Sequence, residues 1–167
     1  MPATDPATDP ATDDPAGADA ELARRVLEDG RYLVLASADA DGNPWPTPVW
    51  FAREGRELVW VSRATTRHSA NLAARSAVGI VVFETPVPAD GRPRAVYAEA
   101  TAREVPESDR ERCLAIFDRR SRAEGLGPWP VERVVAPAAL RLYHAVVSRF
   151  FVLEPERDVR REVQLDL

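Results

Sequence analysis

A cluster of polar residues between positions 62 and 71 offers the clearest chemistry in the sequence. Hydroxyl, guanidinium and imidazole groups gather where a loop opens into a predicted helix, namely Thr65, Thr66, Ser69, Arg67 and His68. The first N–H groups of a helix lack partners within it, and the positive end of its dipole attracts anions. Arginine can bind a phosphate through two parallel hydrogen bonds, and histidine can donate another. These residue types fit a terminal phosphate, and they also fit an ordinary capped helix with solvated polar residues.

The elements around this cluster must position it. The preceding strand covers residues 57–62, and the helix is predicted over residues 66–75. Upstream, an apolar run over residues 32–37 predicts a first strand, and a polar turn at residues 39–43 leads into a second strand over 46–53. Because Pro46 and Pro48 cannot donate hydrogen bonds to a neighbouring strand, this stretch is expected at a sheet edge or at the start of a strand.

Later segments complete a mostly antiparallel sheet. Strands are predicted over residues 78–83, 94–105, 140–145 and 150–153, with a proline-rich loop at 86–93. A first helix is expected to start at an N-cap Asp19, and a third behind a capping box of Ser108 and Glu111. Short loops between the early strands favour antiparallel pairing. The sequence therefore predicts a mainly β (α+β) protein, an antiparallel β-barrel with short peripheral helices.

Composition excludes several classes of function. The single cysteine, Cys113, rules out an internal disulfide, and its apolar helix face favours core packing over a nucleophilic role. All 22 basic residues are arginine, so a Schiff-base lysine is excluded. The region after the acidic N-terminal segment carries almost no net charge, so the sequence shows no basic surface that would bind nucleic acid. No apolar run reaches the length of a membrane span, and we expect a cytoplasmic protein.

The N-terminal segment differs from the rest of the chain. Residues 2–13 repeat Pro-Ala-Thr-Asp three times, and residues 1–18 hold four aspartates and no basic residue. Without large apolar side chains such a segment cannot offset its ordering entropy. We therefore expect a disordered tail over residues 1–18 and one folded domain over residues 19–167.

The ordered series of motifs resembles the pyridoxamine 5′-phosphate oxidase-like family of flavin-binding split β-barrels. The segments that carry the resemblance are Tyr32–Ser37, Asp41–Pro44, Pro46–Phe51, Leu58–Ser62 and Thr66–Leu72. It implies a split barrel, an FMN-dependent oxidoreductase, a small-molecule substrate and a homodimer with the cofactor at the interface. It further implies a set of cofactor-binding residues: Thr47, Pro48, Val49 and Trp50 on the second strand, Val61 and Ser62 on the third, Thr66, Arg67, His68 and Asn71 at the helix start, and Tyr143 and Arg149 near the end.

The chain departs from the family pattern in two places. His68 stands where the family commonly has lysine, so the charge at this position depends on pH. Phe151 stands where true pyridoxamine phosphate oxidases have a substrate-binding histidine, which argues against pyridoxamine phosphate as the substrate. No catalytic acid or base is identified, because the flavin would carry the redox step.

Other interpretations stay open. The same barrel could hold the deazaflavin F420. In that case Arg92 and Arg94 could bind the polyglutamate tail of this cofactor. A non-catalytic protein could store FMN or bind haem through His68 or His144, and a regulatory dimer could leave the site empty. Aromatic residues that could lie at a dimer interface, or equally in the core, are Trp45, Trp129, Tyr143, Phe150 and Phe151.

Overall fold

The computed structural model describes residues 15–84, 91, 93–154 and 157–165. Within them the helices are α1 (Pro15–Asp29), α2 (Arg67–Ala74) and α3 (Arg110–Ala123), with 3₁₀ turns at Glu107–Asp109 and Val131–Arg133. The strands are β1 (Tyr32–Ala38), β2 (Pro44–Trp50), β3 (Ala52–Glu54), β4 (Glu57–Arg63), β5 (Ala77–Phe83), β6 (Ala95–Glu104), β7 (Leu140–Glu154) and β8 (Val159–Val163). None of the helices described here has both the length and the hydropathy of a membrane span.

The strands form one antiparallel sheet that curls into a half-barrel. Their order is β2-β1-β5-β6-β7-β4-β3, with β8 added beside β7. A single residue, Phe51, separates β2 from β3, so one stretch of chain pairs with β1 at one end and with β4 at the other. The predicted antiparallel split barrel is confirmed. As its prolines indicate, β2 lies at one end of the strand order.

The barrel interior is filled by alternate side chains of the strands. Along β1, Leu33 and Leu35 are fully buried, whereas Tyr32 is 60% exposed on the outer face. The largest buried side chains are those of Trp60, Phe51 and Phe150. Burying a side chain of this size contributes about 1.5–3 kcal/mol, so this core is the main source of rigidity for the elements that carry the site.

A second apolar cluster forms where α3 covers the outer face of β4 and β7. Cys113, Ile116 and Phe117 of α3 are buried there against Val59 and Leu142. The apolar helix face read from the sequence is therefore the face that packs, and Cys113 lies in the core as predicted.

Two helix starts differ from the predictions. Helix α1 begins at Pro15, so Asp19 lies inside it and pairs with Arg161 at 2.7 Å instead of capping it. Ser108 lies within the 3₁₀ turn before α3, and no side-chain cap bond is found at Asp109 within the described residues. The capping box is wrong because the extra turn moves the helix start beyond Ser108. The tail predicted at residues 1–18 falls outside the described residues over positions 1–14.

The last strands also differ from the predictions. The two segments predicted at 140–145 and 150–153 form one long strand, β7, whose pairing with β6 shifts at a bulge between Glu99 and Ala100. Strand β8 was not predicted, because its sequence Val159–Val163 is mostly charged and lacks alternation. The proline-rich loop at 86–93 lies mostly outside the described residues.

Candidate cofactor site

The start of helix α2 is built by Thr66 and Ser69. Thr66 is the N-cap, with extended backbone (φ −74°, ψ 154°), and its side chain accepts a hydrogen bond from the Ser69 N–H. The hydroxyls of both residues lie 3.0 Å from the carbonyl oxygen of Arg63 at the end of β4. These hydrogen bonds hold the turn between β4 and α2 in one conformation and fix the N-terminus of the helix relative to the sheet.

His68 joins the strand end to the helix start. Its Nε2 lies 2.8 Å from Ser62 Oγ and 3.1 Å from Thr66 Oγ1, and the residue is only 5% exposed. Burial lowers the pKa of His68 below its ordinary value. The structure therefore brings three of the predicted site residues together, around an imidazole that is neutral at neutral pH.

Arg67 is the exposed member of the group. Its guanidinium lies over the Trp45 ring, 4.5 Å from the centroid, and 3.9 Å from the carboxylate of Asp39. Asp39 is held in turn by Asn43, whose hydrogen bonds are the main cause of a lowered pKa at that carboxyl. With 47% of its side chain exposed, Arg67 is oriented and still accessible to an anion from solvent.

Asn71 has a different place from the one predicted for a ligand-binding amide. It is buried, and its Nδ2 donates to Ser37 Oγ at 3.0 Å. The Ser37 hydroxyl in turn donates to the carbonyl oxygen of Trp45 at 3.2 Å. Asn71 therefore ties α2 to β1 and β2. Ser37 was not singled out in the sequence, because a lone serine in an apolar strand gives no signal.

The predicted cofactor strand, β2, presents its residues on two faces. Val49 is buried inside the barrel, and Thr47 points the same way with its Oγ1 buried and without a hydrogen-bond partner among the described residues. On the outer face, Trp50 meets Phe117 edge-on at 4.9 Å. Pro48, also on the outer face, borders a cleft of about 700 Å³.

The remaining predicted residues are not gathered at the helix start in the same way. Val61 packs against the α3 cluster. Tyr143 is buried and stacked on Trp60, and burial raises its pKa despite a hydrogen bond with Ser69. Tyr143 thus supports α2 from inside the barrel.

Arg149 lies at the other end of β7. Its guanidinium is engaged by Glu162 at 2.7 Å and Glu99 at 3.4 Å. In the β4–β7 pairing Arg63 faces Leu140, and Arg149 lies nine positions beyond Leu140 in β7, a distance of about 30 Å along the strand. Within one protomer the structure does not bring Arg149 to the start of α2.

A second polar cluster, not found from the sequence, consists of Glu57, Cys113 and His144. Glu57 accepts hydrogen bonds from His144 Nδ1, from Arg112 and from the Cys113 thiol, whose Sγ lies 3.4 Å away. Burial raises the pKa of Cys113 to about 12. Burial alone would also raise the pKa of Glu57, but the hydrogen bonds lower it to about 2. Since 56 residues separate Glu57 from Cys113, no local motif marks this cluster.

The comparisons with known proteins agree with this architecture. The family model of pyridoxamine 5′-phosphate oxidase matches residues 20–146, so the chain belongs to that family. No curated protein matches the sequence.

Solved structures with the same fold have different ligands in their descriptions. The haem storage protein HutZ from Vibrio cholerae is 19% identical with a TM-score of 0.62, over 79% of this chain and 92% of that one. A FAD-binding protein from Mesorhizobium loti is 17% identical with a TM-score of 0.56, over 76% and 88%. An F420 reductase is 23% identical with a TM-score of 0.54, over 76% and 94%. At these identities the likeness concerns the fold alone.

Proposed function

We propose that this chain is an FMN-dependent oxidoreductase whose cofactor phosphate binds at the start of α2 and whose flavin ring runs along β2. The observation that carries the proposal is the hydrogen-bonded group of Ser62, Thr66 and His68 at the start of α2, together with the half-exposed guanidinium of Arg67, the first residue of that helix. A helix N-terminus with hydroxyl, imidazole and guanidinium donors has the chemistry that a phosphate monoester requires. Family membership is consistent with a flavin-type cofactor.

The residues of β2 fit the polar edge of a flavin ring. Thr47 Oγ1 is buried and lacks a partner among the described residues, and leaving such a group unsatisfied costs about 1–3 kcal/mol. A polar ligand atom would relieve this. Because β2 pairs with β1 on one side only, its other backbone edge is available to a ligand. Pro48 and the aromatic rings of Tyr32 and Phe83 line a cleft on the opposite face of β2 from Thr47, where they could cover apolar parts of a ring system that lies across the free edge of the strand.

The chain's own residues would bind and orient the cofactor. Arg67 would neutralise phosphate charge. His68, with its hydrogen on Nε2, would donate to Ser62 Oγ and leave the Ser62 hydroxyl hydrogen free for the phosphate, while Thr66, whose hydroxyl donates to the carbonyl oxygen of Arg63, would hold the helix start in place. Bound FMN would supply the redox chemistry itself. No residue is assigned as a catalytic acid or base, and the substrate is a small molecule of unspecified class.

A homodimer is part of the proposal, because one sheet face carries partly exposed apolar side chains, two of them beneath arginine guanidiniums (Arg160 over Tyr97 and Arg149 over Phe151). Val34, Val81, Tyr97 and Phe151 are successive neighbours in the strand pairing, so they share the outer face of β1, β5, β6 and β7. Beside them Tyr32 is 60% exposed and therefore available to a second copy. Solvent-exposed apolar faces of this kind commonly mark interfaces.

The aromatic residues that the sequence left open between a dimer interface and the core differ in their burial. Phe150 and Tyr143 lie in the core, which is the second of the two alternatives that the sequence left open. Trp129 packs on the α3 cluster. Trp45 and Phe151 remain accessible enough to serve.

Haem binding is the less favoured alternative on the same fold. His68 Nε2 is engaged by two hydroxyls, and His144 is buried between Glu57 and Arg103. Either imidazole would have to leave these partners to ligate iron. For F420, Arg94 lies 3.5 Å from Glu84, and Arg92 is outside the described residues.

The identity of the bound cofactor tests the proposal. Purified protein would be denatured and the released small molecule identified by mass spectrometry, and apoprotein would be titrated with FMN, F420 and haemin. We expect FMN to be released and to bind one per chain. Release or selective binding of F420 or haem, or binding of none of the three, would contradict the proposal.

A further inference from the structure

We propose that Glu57, Cys113 and His144 form a binding site for a zinc-type divalent cation, separate from the cofactor site. The three residues come from β4, α3 and β7, and one potential ligand atom of each lies within 4.8 Å of the others. A thiolate, an imidazole and a carboxylate are the ligand types that zinc takes in proteins. Three protein ligands leave a fourth position for water.

The spacing of the thiol and the carboxylate suits tetrahedral coordination, whereas His144 Nδ1 and Glu57 Oε1 are hydrogen-bonded and would have to move apart, to about 3.4 Å, when an ion binds between them. Cys113 Sγ and Glu57 Oε1 are 3.4 Å apart. In a tetrahedral site with ordinary zinc–sulfur and zinc–oxygen bonds, two such ligands lie about 3.6 Å apart. His144 Nδ1 contacts the same oxygen, Oε1, so the thiol and the imidazole converge on one atom of the carboxylate. An ion entering between them would replace the thiol and imidazole hydrogens at Oε1, where Arg112 Nη2 donates a third.

The other oxygen of Glu57 is already oriented by a cation. Arg112 Nη1 contacts Oε2, the oxygen that would not ligate the ion. Its Nη2 also donates to Oε1 at 3.2 Å, and this second bond would be lost when Oε1 ligates the ion. A hydrogen bond to the non-ligating atom of a ligand fixes its orientation and is a usual feature of metal sites. Cys113 and His144 are buried, and the half-exposed side chain of Arg112 marks the side from which an ion and its water ligand would enter.

Ion binding changes the protons in a defined way. Arg103 Nε donates to His144 Nε2 at 3.2 Å, so the imidazole now carries its hydrogen on Nδ1. On coordination through Nδ1 that hydrogen is lost while Nε2 gains one, so Arg103, which can only donate, must turn away. The Cys113 thiol loses its proton to solvent. One proton is released for each ion bound.

Cobalt(II) tests this site directly, because a cobalt–thiolate bond gives a charge-transfer absorption band. Cys113 is the only cysteine of the chain, so such a band has one possible source. The full-length protein without affinity tag would be freed of metal and titrated with Co²⁺. We expect one equivalent to bind with a charge-transfer band, one proton to be released in weak buffer, and Zn²⁺ to remove the band.

Variants separate coordination from a purely structural hydrogen-bond network. Cys113→Ser should abolish the band, and His144→Gln should weaken Co²⁺ binding by at least about 10-fold. His68→Gln, which removes the other imidazole, should leave the band unchanged. Arg103→Met should strengthen binding, because Nε2 is then free to carry the hydrogen. The wild-type titration decides the matter even if a variant fails to fold: no binding, or binding without a thiolate band, overturns the proposal whatever the result with FMN.

Discussion

The guanidinium of Arg67 lies on the indole ring of Trp45, 4.5 Å from the ring centroid. Asp39, in the turn between β1 and β2, lies 3.9 Å from the same guanidinium. Arg67 is thus held at the N-terminus of α2 by groups from another part of the chain. A side chain that is already ordered loses less entropy when it binds a ligand, so Trp45 should act as a positioning residue for Arg67.

Replacing Trp45 should therefore weaken phosphate recognition modestly. An exposed cation–π contact is worth about 0.5–1 kcal/mol, so Trp45→Ala should weaken FMN binding by about 2–5-fold. Trp45→Phe keeps an aromatic face and should lose less. Flavin fluorescence titration would measure both variants, with riboflavin as the ligand without phosphate. An equal loss for FMN and riboflavin would contradict this role.

His68 should make the ligand-free protein less stable in mild acid. Its pKa is lowered by burial, whereas the imidazole of the unfolded chain takes up a proton near pH 6.5. Below about pH 6.5 the unfolded state therefore binds more protons, and the stability that His68 contributes is lost as the pH falls through the lowered value. The urea midpoint of wild type should fall between about pH 7.5 and about pH 5.5, and that of His68→Gln should fall less. If the urea midpoints of the two proteins fell equally with pH, the result would contradict a lowered pKa at His68.

Glu57 should contribute more to stability than a comparable exposed carboxylate. Glu57→Gln removes the negative charge of a partly buried carboxylate that accepts hydrogen bonds from Arg112 and His144. The substitution should lower the free energy of unfolding by about 1–3 kcal/mol. Glu54→Gln is the matched control, because its pair with Arg119 is exposed on both sides and should cost under about 1 kcal/mol. Since the pKa of Glu57 is lowered to about 2, the difference between wild type and Glu57→Gln should persist above about pH 4.5 and shrink below it. Urea unfolding would measure it, and equal losses for both variants would count against the network.

The open sheet face should hold two copies together. Val81 lies in the middle of that face, between Val34 and Tyr97 in the strand pairing. Val81→Glu places a charge among apolar side chains and should shift the protein toward monomers, because an unpaired charge is costly to bury. Leu126→Glu is the control, since Leu126 is 61% exposed in the loop after α3. Light scattering at micromolar concentration would show a dimer for wild type and Leu126→Glu; a wild-type monomer would contradict the interface.

Much of the fold could be predicted from the sequence, because alternation and turn residues are local signals. The edge position of β2 follows from Pro46 and Pro48, and the start of α2 from Thr66. Strand β8 could not be predicted, because its charged side chains are exposed and its order comes from pairing with β7. The capping-box prediction was wrong. Ser108 and Glu111 fit the sequence pattern, but Ser108 lies in a 3₁₀ turn that precedes the helix.

Part of the candidate site could also be predicted, because several of its residues are neighbours in the sequence. Ser62, Thr66, Arg67 and His68 are close in the sequence, and the structure keeps them close. Arg149 is far from them because it lies nine positions beyond Leu140 along β7. Long-range pairing alone brings Glu57 to His144, 87 residues away, which local spacing cannot reveal.

The affinity of Arg67→Ala for FMN compared with riboflavin tests the central claim most directly. Removing the guanidinium deletes at least one charge-assisted hydrogen bond to the phosphate, worth about 1.5–3 kcal/mol, or about a 10–150-fold loss of FMN affinity. Riboflavin lacks the phosphate, so its affinity should hardly change. Arg119→Ala, which removes an exposed arginine elsewhere, should leave both affinities unchanged. An FMN affinity that stays the same in Arg67→Ala, or a loss that is equal for riboflavin, would contradict a phosphate site at the start of α2.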